Sequence, residues 1–133
     1  MWQGPVSGDK PAIDVYDNSL YRLESANLIY SNLEKEDRIL EIKKAIAKYG
    51  TVTASCYYNG GQIQYYNDGA ITNGVAHAIT LIGWDDNIDK SLFKPGKVNK
   101  NGGWLVKNSY NDNPYFYLTY ESTISPTTSW AFT

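Results

Sequence analysis

The chain has 133 residues, with 12 basic and 14 acidic side chains and a net charge of -2. This length suits one domain and is too short for two full ones. Because nucleic acids and acidic membranes attract basic surfaces, the charge balance argues against either as the main partner. No apolar run approaches the roughly 20 residues needed to span a bilayer, so no membrane span is expected.

Residues 1–18 are rich in glycine, proline and aspartate, which predicts an extended arm or crossing segment before a domain at 19–133. The amino terminus lacks a basic start followed by an apolar stretch, so it does not predict a signal peptide. Cys56 is the only cysteine and His77 the only histidine. The sequence therefore excludes an internal disulfide and a multi-histidine metal site, and no cofactor is expected.

Residues 20–31 alternate loosely between apolar and polar side chains, which predicts a strand. A helix is predicted next, because apolar residues recur at steps of three and four among charged ones, at Ile39, Ile42, Ile46 and Tyr49. Asn32 is the expected cap of this helix, and Gly50 is its expected stop.

Beyond Gly50, β-branched and aromatic runs separated by turns predict further strands. The predicted strands are 51–58, 62–66, 75–84, 104–109, 115–120 and 130–132. Residues 75–84 are almost continuously apolar, so this strand is expected to be buried on both faces, whereas 85–103 is predicted to be a polar loop. One helix with mostly antiparallel strands predicts an α+β domain built around a half-open barrel.

Strand topology allows His77 to meet Asn108. If strands 75–84 and 103–109 form an antiparallel hairpin with Trp84 facing Asn101, then His77 directly faces Asn108. A slip of two residues keeps the pair on one face, and a slip of one separates it. An amide oxygen that binds one ring nitrogen leaves the other nitrogen free to take a proton from a nucleophile. From the spacing alone, a histidine satisfied inside a core is the stronger alternative.

Segments 76–84 and 103–109 resemble the histidine and asparagine motifs of the papain family of cysteine peptidases. Segment 42–54 is similar to that family's helix and first barrel strand, and 115–120 is similar to the strand that follows the asparagine. The paired aspartates at 85–86 resemble the bacterial branch. The likeness covers about residues 38–121, with the motifs in the family's order.

The resemblance implies the carboxy-terminal, barrel-like half of the papain fold, an antiparallel sheet with one main helix. By the same resemblance, His77 matches the general base and Asn108 matches the residue that orients it. The matching substrate-binding positions are Ser55, Val75, Ala76 and Tyr110. Tyr110 stands where the family usually has a tryptophan that shields the histidine–asparagine bond. Trp84 and Trp104 match packing residues.

The family's nucleophilic cysteine opens a helix in its amino-terminal half, preceded by an oxyanion-hole glutamine, and neither has a match here. Cys56 lies inside a predicted strand, where no helix dipole lowers a thiol pKa, so a structural role is expected. The resemblance therefore implies a chain that is inactive alone. Its expected partners are a peptide or protein substrate in the complete enzyme, and the missing half or a second copy over the His77 face.

A secreted or cell-surface location follows from the likeness to the bacterial branch. A different interpretation stays open at this point. The domain could be a non-catalytic module, derived from a peptidase, that binds peptide or carbohydrate through its tyrosine-rich strands.

Overall fold

The computed structural model describes residues 24–29, 33–71, 73–124 and 129–132. The predicted arm at 1–18 and the predicted cap Asn32 lie outside these ranges. The described part contains one α-helix and seven strands. They are α1 (Lys35–Tyr49), β1 (Ala26–Leu28), β2 (Val52–Tyr58), β3 (Tyr65–Tyr66), β4 (Val75–Asp85), β5 (Gly103–Lys107), β6 (Tyr115–Thr119) and β7 (Trp130–Phe132).

The helix α1 follows the predicted periodicity. Its apolar stripe buries Ile42, Ala45 and Ile46 against the sheet, while charged residues cover the opposite side. The helix ends as predicted at Gly50, whose φ of 87° suits a residue without a Cβ and whose N–H donates to the Ile46 carbonyl at 2.8 Å. Lys48 in the last turn complements the negative end of the helix dipole.

The strands form one sheet in the order β1-β7-β2-β4-β5-β6-β3. The pairs are antiparallel except β3 with β6, which is parallel. The helix α1 packs across β2, β4 and β7. One helix on a mostly antiparallel sheet confirms the predicted α+β class. In this order β4 lies between β2 and β5, so side chains from these three strands can meet.

The core lies on the helix side of the sheet. Every second residue of β2 is buried, beginning with Val52, and Leu81 of β4 and Val106 of β5 extend the same apolar layer. Trp104 is fully buried in this layer, as expected of a packing residue. Trp84 stays partly exposed, with the Lys43 ammonium 5.8 Å from its ring centroid.

A polar contact ties α1 to the end of β4. The Lys43 ammonium binds the Asp86 carboxylate, and the Tyr120 hydroxyl donates to the same carboxylate at 2.8 Å. These hydrogen bonds, that from Lys43 first, hold the pKa of Asp86 below its usual range. The contact fixes the helix against the strand that carries His77.

The strand β4 is not buried on both faces, so that prediction is wrong. Val75 is 70% exposed and Ala76 and Ala78 are exposed, whereas Ile79 and Leu81 are buried. Only one face of β4 meets the core formed by the described residues. An apolar run looks the same in sequence whether both faces are covered within one domain or one of them lies open.

The loop after β4 is also less polar than predicted. It contributes three buried side chains, Ile88, Phe93 and Val98, which form a second small core. Tyr65 of β3 and Tyr117 of β6 pack against this core. The apolar residues are too widely and irregularly spaced to register as a strand or helix pattern, so the sequence alone hides their common packing.

Candidate active site

His77 of β4 and Asn108, just beyond β5, are joined by a hydrogen bond. The Nε2 atom of His77 lies 2.9 Å from the Oδ1 atom of Asn108. The same oxygen accepts the backbone N–H of Ser109 at 2.8 Å, which fixes the orientation of the amide because only its oxygen can accept. Nε2 must therefore carry the proton, and Nδ1 of the neutral ring is left as an acceptor.

The contact forms through a different register from the predicted one. Trp84 pairs with Trp104 rather than Asn101, a shift of three residues. A β-bulge between Leu81 and Gly83 reduces the register shift by one residue, so Thr80 pairs with Lys107. The net shift of two makes the His77–Asn108 contact diagonal. Without the bulge, an odd shift would put the two side chains on opposite faces of the sheet.

Two tyrosine rings pack against the His77 ring. Tyr110 stacks on it at a centroid distance of 5.2 Å and an interplanar angle of 6°, and Tyr58 does so at 5.0 Å and 30°. Tyr58 is buried, whereas Tyr110 is 49% exposed. The two rings restrict the tilt of the imidazole plane, and Tyr110 occupies the position matched to the shielding tryptophan.

Sequence reasoning missed Tyr58. The available signal was its spacing from Cys56, because β2 pairs Cys56 with His77 and Tyr58 with Val75. Residues two apart on a strand share a face. Tyr58 therefore had to lie on the face of His77 once this pairing was known, but the pairing itself is not visible in the local pattern.

The other residues predicted to bind substrate divide between the two faces of the sheet. Val75 shares the face of His77 and lines a cavity of about 460 Å³ together with Tyr58 and Tyr110. Ser55 pairs with Ala78, and Ala76 pairs with Tyr57. Strand alternation therefore directs Ser55 and Ala76 to the opposite face, so these two do not line the cavity beside the imidazole.

Cys56 lies directly across β2 and β4 from His77, but its thiol is not activated. The residue is 3% exposed. Burial, reinforced by the negative charge of Asp68, raises the pKa of the Cys56 thiol to about 12. A nucleophilic cysteine needs the reverse, a lowered pKa and access to substrate. This environment is that of a structural cysteine.

We expect Cys56 in the folded chain to react with iodoacetamide at pH 8 about a hundredfold more slowly than in urea, because it is both buried and protonated. Mass spectrometry of quenched samples measures the two rates. Equal rates in the folded and unfolded chain would contradict this description.

The raised pKa of Cys56 also means that the folded state holds the thiol proton more tightly than the unfolded state. The associated stability is therefore present below pH 9.0 and is lost as pH rises toward about 12.

The buried carboxylate of Asp68 connects segments of the chain next to the site. Asp68, in the turn Asp68–Ala70, is fully buried and accepts the backbone N–H of Tyr57 at 3.2 Å. It also accepts the backbone N–H of Thr123 at 3.1 Å and the Thr123 hydroxyl. One carboxylate thereby joins β2, the segment before β4 and the segment after β6. The sequence predicted only a turn at this point.

Other acids serve local turns. The Asp85 and Asp89 carboxylates accept the backbone N–H groups of Asn87 and Ser91, each at 2.8 Å. In the part of the chain that the structure describes, no three histidine, cysteine, aspartate or glutamate side chains gather closely enough to hold a metal ion. Within the same ranges, no helix is both long enough and apolar enough to cross a membrane.

Comparison with known proteins identifies the family to which the chain belongs. The family profile described as papain family cysteine protease matches residues 16–122. One similar solved structure is that of the cysteine protease and lectin-like domains of Cwp84, a surface layer associated protein of Clostridium difficile, at 26% identity and a TM-score of 0.64. That alignment covers 92% of this chain and 28% of the Cwp84 chain, so the protein spans under a third of that structure. No curated protein matches. The predicted likeness is confirmed, and the chain belongs to the papain family of cysteine proteases.

Proposed function

We propose that this chain supplies the general base and its orienting amide to a papain-type peptidase that cleaves peptide bonds through a thioester. The observation that carries the proposal is the 2.9 Å bond between His77 Nε2 and Asn108 Oδ1. This bond leaves Nδ1 as the acceptor for a thiol proton, which is the role of a general base in thiol hydrolysis.

In the proposed mechanism, Nδ1 of His77 takes the proton of a cysteine nucleophile, and Asn108 holds the resulting imidazolium through Nε2–H. The thiolate attacks the peptide carbonyl carbon, and the imidazolium returns its proton to the departing amine as the C–N bond breaks. A water molecule then gives a proton to Nδ1 and hydrolyses the thioester, which releases the acid and restores the thiol. Tyr110 shields the His77–Asn108 bond from water, which strengthens it.

The nucleophile in this proposal comes from outside the described residues, because the buried thiol of Cys56 has its pKa raised to about 12. The exposed side chains on the face of His77, Val75 and Tyr110, are the proposed contact for the half that carries the nucleophile, or for a second copy of this chain. The substrate lies against Val75 and Tyr110 on the face of His77, and Ser55 and Ala76, which strand alternation directs to the opposite face, take no part in this contact. A cell-surface location is proposed from the surface-layer association of Cwp84.

The test compares the chain alone with the chain joined to a papain-type half that contains the cysteine. We expect no hydrolysis of a fluorogenic peptide by the chain alone and thiol-dependent hydrolysis by the assembly. Turnover by the isolated chain that is lost in Cys56→Ala would overturn the external nucleophile. An assembly that folds and never cleaves peptide would overturn the peptidase proposal in favour of a binding module.

A further inference from the structure

A cavity beside His77 is lined by aromatic and polar residues. Its volume is about 460 Å³, and the rings of Tyr58 and Tyr110 line it next to the imidazole. The turn at residues 59–61 and the side chains of Asn73, Asp112 and Asn113 complete it, with Val75 as its aliphatic member. The lining is therefore aromatic and polar.

Hydrogen bonds hold this lining in place. The Tyr58 hydroxyl donates to the Gly61 carbonyl at 2.8 Å, and the Tyr66 hydroxyl donates to the Asn59 side-chain oxygen at 3.3 Å. Gly60 and Gly61 take φ values of 82° and 98°, which this tight turn requires and which side-chain-bearing residues rarely adopt. A turn fixed in this way gives a pocket whose shape exists before a ligand arrives, which lowers the entropic cost of binding.

The charge that lines the cavity is negative. Asp112 is the charged residue among those lining it, and the ion pairs of the described residues use other acids. A carboxylate in the same cavity as the half-exposed Tyr110 ring attracts a cation through its charge, and the ring adds an electron-rich face. The same carboxylate repels an acidic side chain.

We infer that this cavity is a subsite for a cationic side chain, arginine or lysine, of the peptide that lies against His77. The inference rests on the proposed function for its position in a substrate path, but the binding itself requires only the described residues. Asp112 supplies the counter-charge, and Tyr110, which is 49% exposed, supplies the ring face.

The test measures, by NMR, how tightly small probes bind to the chain alone. The probes are N-acetyl-arginine N-methylamide and its neutral isostere N-acetyl-citrulline N-methylamide. We expect the arginine probe to bind about fivefold more tightly and to shift the Tyr58 and Tyr110 ring signals. Asp112→Asn should lower the arginine affinity about threefold and leave citrulline unchanged. Asp37→Asn is the matched control, since Asp37 lines a separate groove along α1.

Equal affinities for the two probes, or an arginine affinity that Asp112→Asn leaves unchanged, would overturn the subsite. Cleavage assays on the assembled enzyme separate this result from the proposed function. Peptide cleavage without selective binding of arginine keeps the peptidase and removes the subsite. Selective arginine binding that is lost in Asp112→Asn, in a protein that never cleaves peptide, keeps the cation site and removes the peptidase.

Discussion

Replacing His77 by alanine is expected to lower kcat for peptide cleavage by about a thousandfold or more in the assembled enzyme. Two steps lose their proton carrier. The nucleophilic thiol no longer has an imidazole to form an ion pair with, and the departing amine no longer receives a proton. Steady-state kinetics with a fluorogenic peptide measure the loss, and iodoacetamide alkylation of the nucleophile reports its thiolate fraction at neutral pH.

Asn108 provides the matched test of geometry, because its oxygen fixes the ring nitrogen that carries the proton. Asn108→Ala is expected to lower kcat by about a hundredfold, less than the loss of the base itself. In Asn108→Asp, a carboxylate next to the imidazolium favours the charged ring, so the alkaline limb of the pH–rate profile should move to higher pH. Asn87→Ala, at an exposed turn after β4, is the control.

A merely structural His77 would give a different pattern. His77→Ala would then leave kcat and the alkylation rate of the nucleophile near their original values once the protein is folded. Asn108→Asp would change stability without moving the pH–rate profile. Either result would remove the general-base role, although the hydrogen bond between the two side chains would still stand as a structural contact.

Local patterns were sufficient to predict the elements that hold the site. The stripe of α1 and its end at Gly50 follow from helical periodicity and from the need for positive φ at the stop. Strands β2, β4, β5 and β6 follow from β-branched and aromatic runs. The closeness of His77 and Asn108 was predictable, because two neighbouring antiparallel strands can pair in only a few registers. The register was not, because the bulge between Leu81 and Gly83 depends on how two distant segments twist together.

The features that sequence reasoning missed all depend on distant contacts. Tyr58 reaches His77 only because β2 pairs with β4, and the exposed start of β4 reflects the absence of a cover from the described residues on that face. Asp68 is an ordinary turn residue in sequence, yet its partners lie 11 and 55 positions away at Tyr57 and Thr123. A polar side chain with such partners has no periodic signature.

Asp68→Ala is expected to lower the free energy of unfolding by about 3 to 5 kcal/mol, measured by urea denaturation. The reason is the asymmetry between making and losing a buried hydrogen bond. The alanine leaves the N–H of Tyr57 and both donors of Thr123 without their acceptor, in a place where Asp68 itself is fully buried. Asp89→Ala is the control, because its carboxylate holds one exposed turn, and it should lower the free energy of unfolding far less than Asp68→Ala.

Asp68→Asn separates shape from charge. The asparagine keeps an acceptor oxygen but turns an NH₂ group toward one of the donors. The loss in free energy of unfolding should therefore fall between those of Asp68→Ala and Asp89→Ala. Because the Asp68 charge is the second cause of the raised Cys56 pKa, the same variant should lower that pKa while burial keeps it above its ordinary value. An Asp68→Ala cost no greater than that of Asp89→Ala would show that water replaces the carboxylate. The position of Tyr58 against His77 would then depend on the sheet pairing alone.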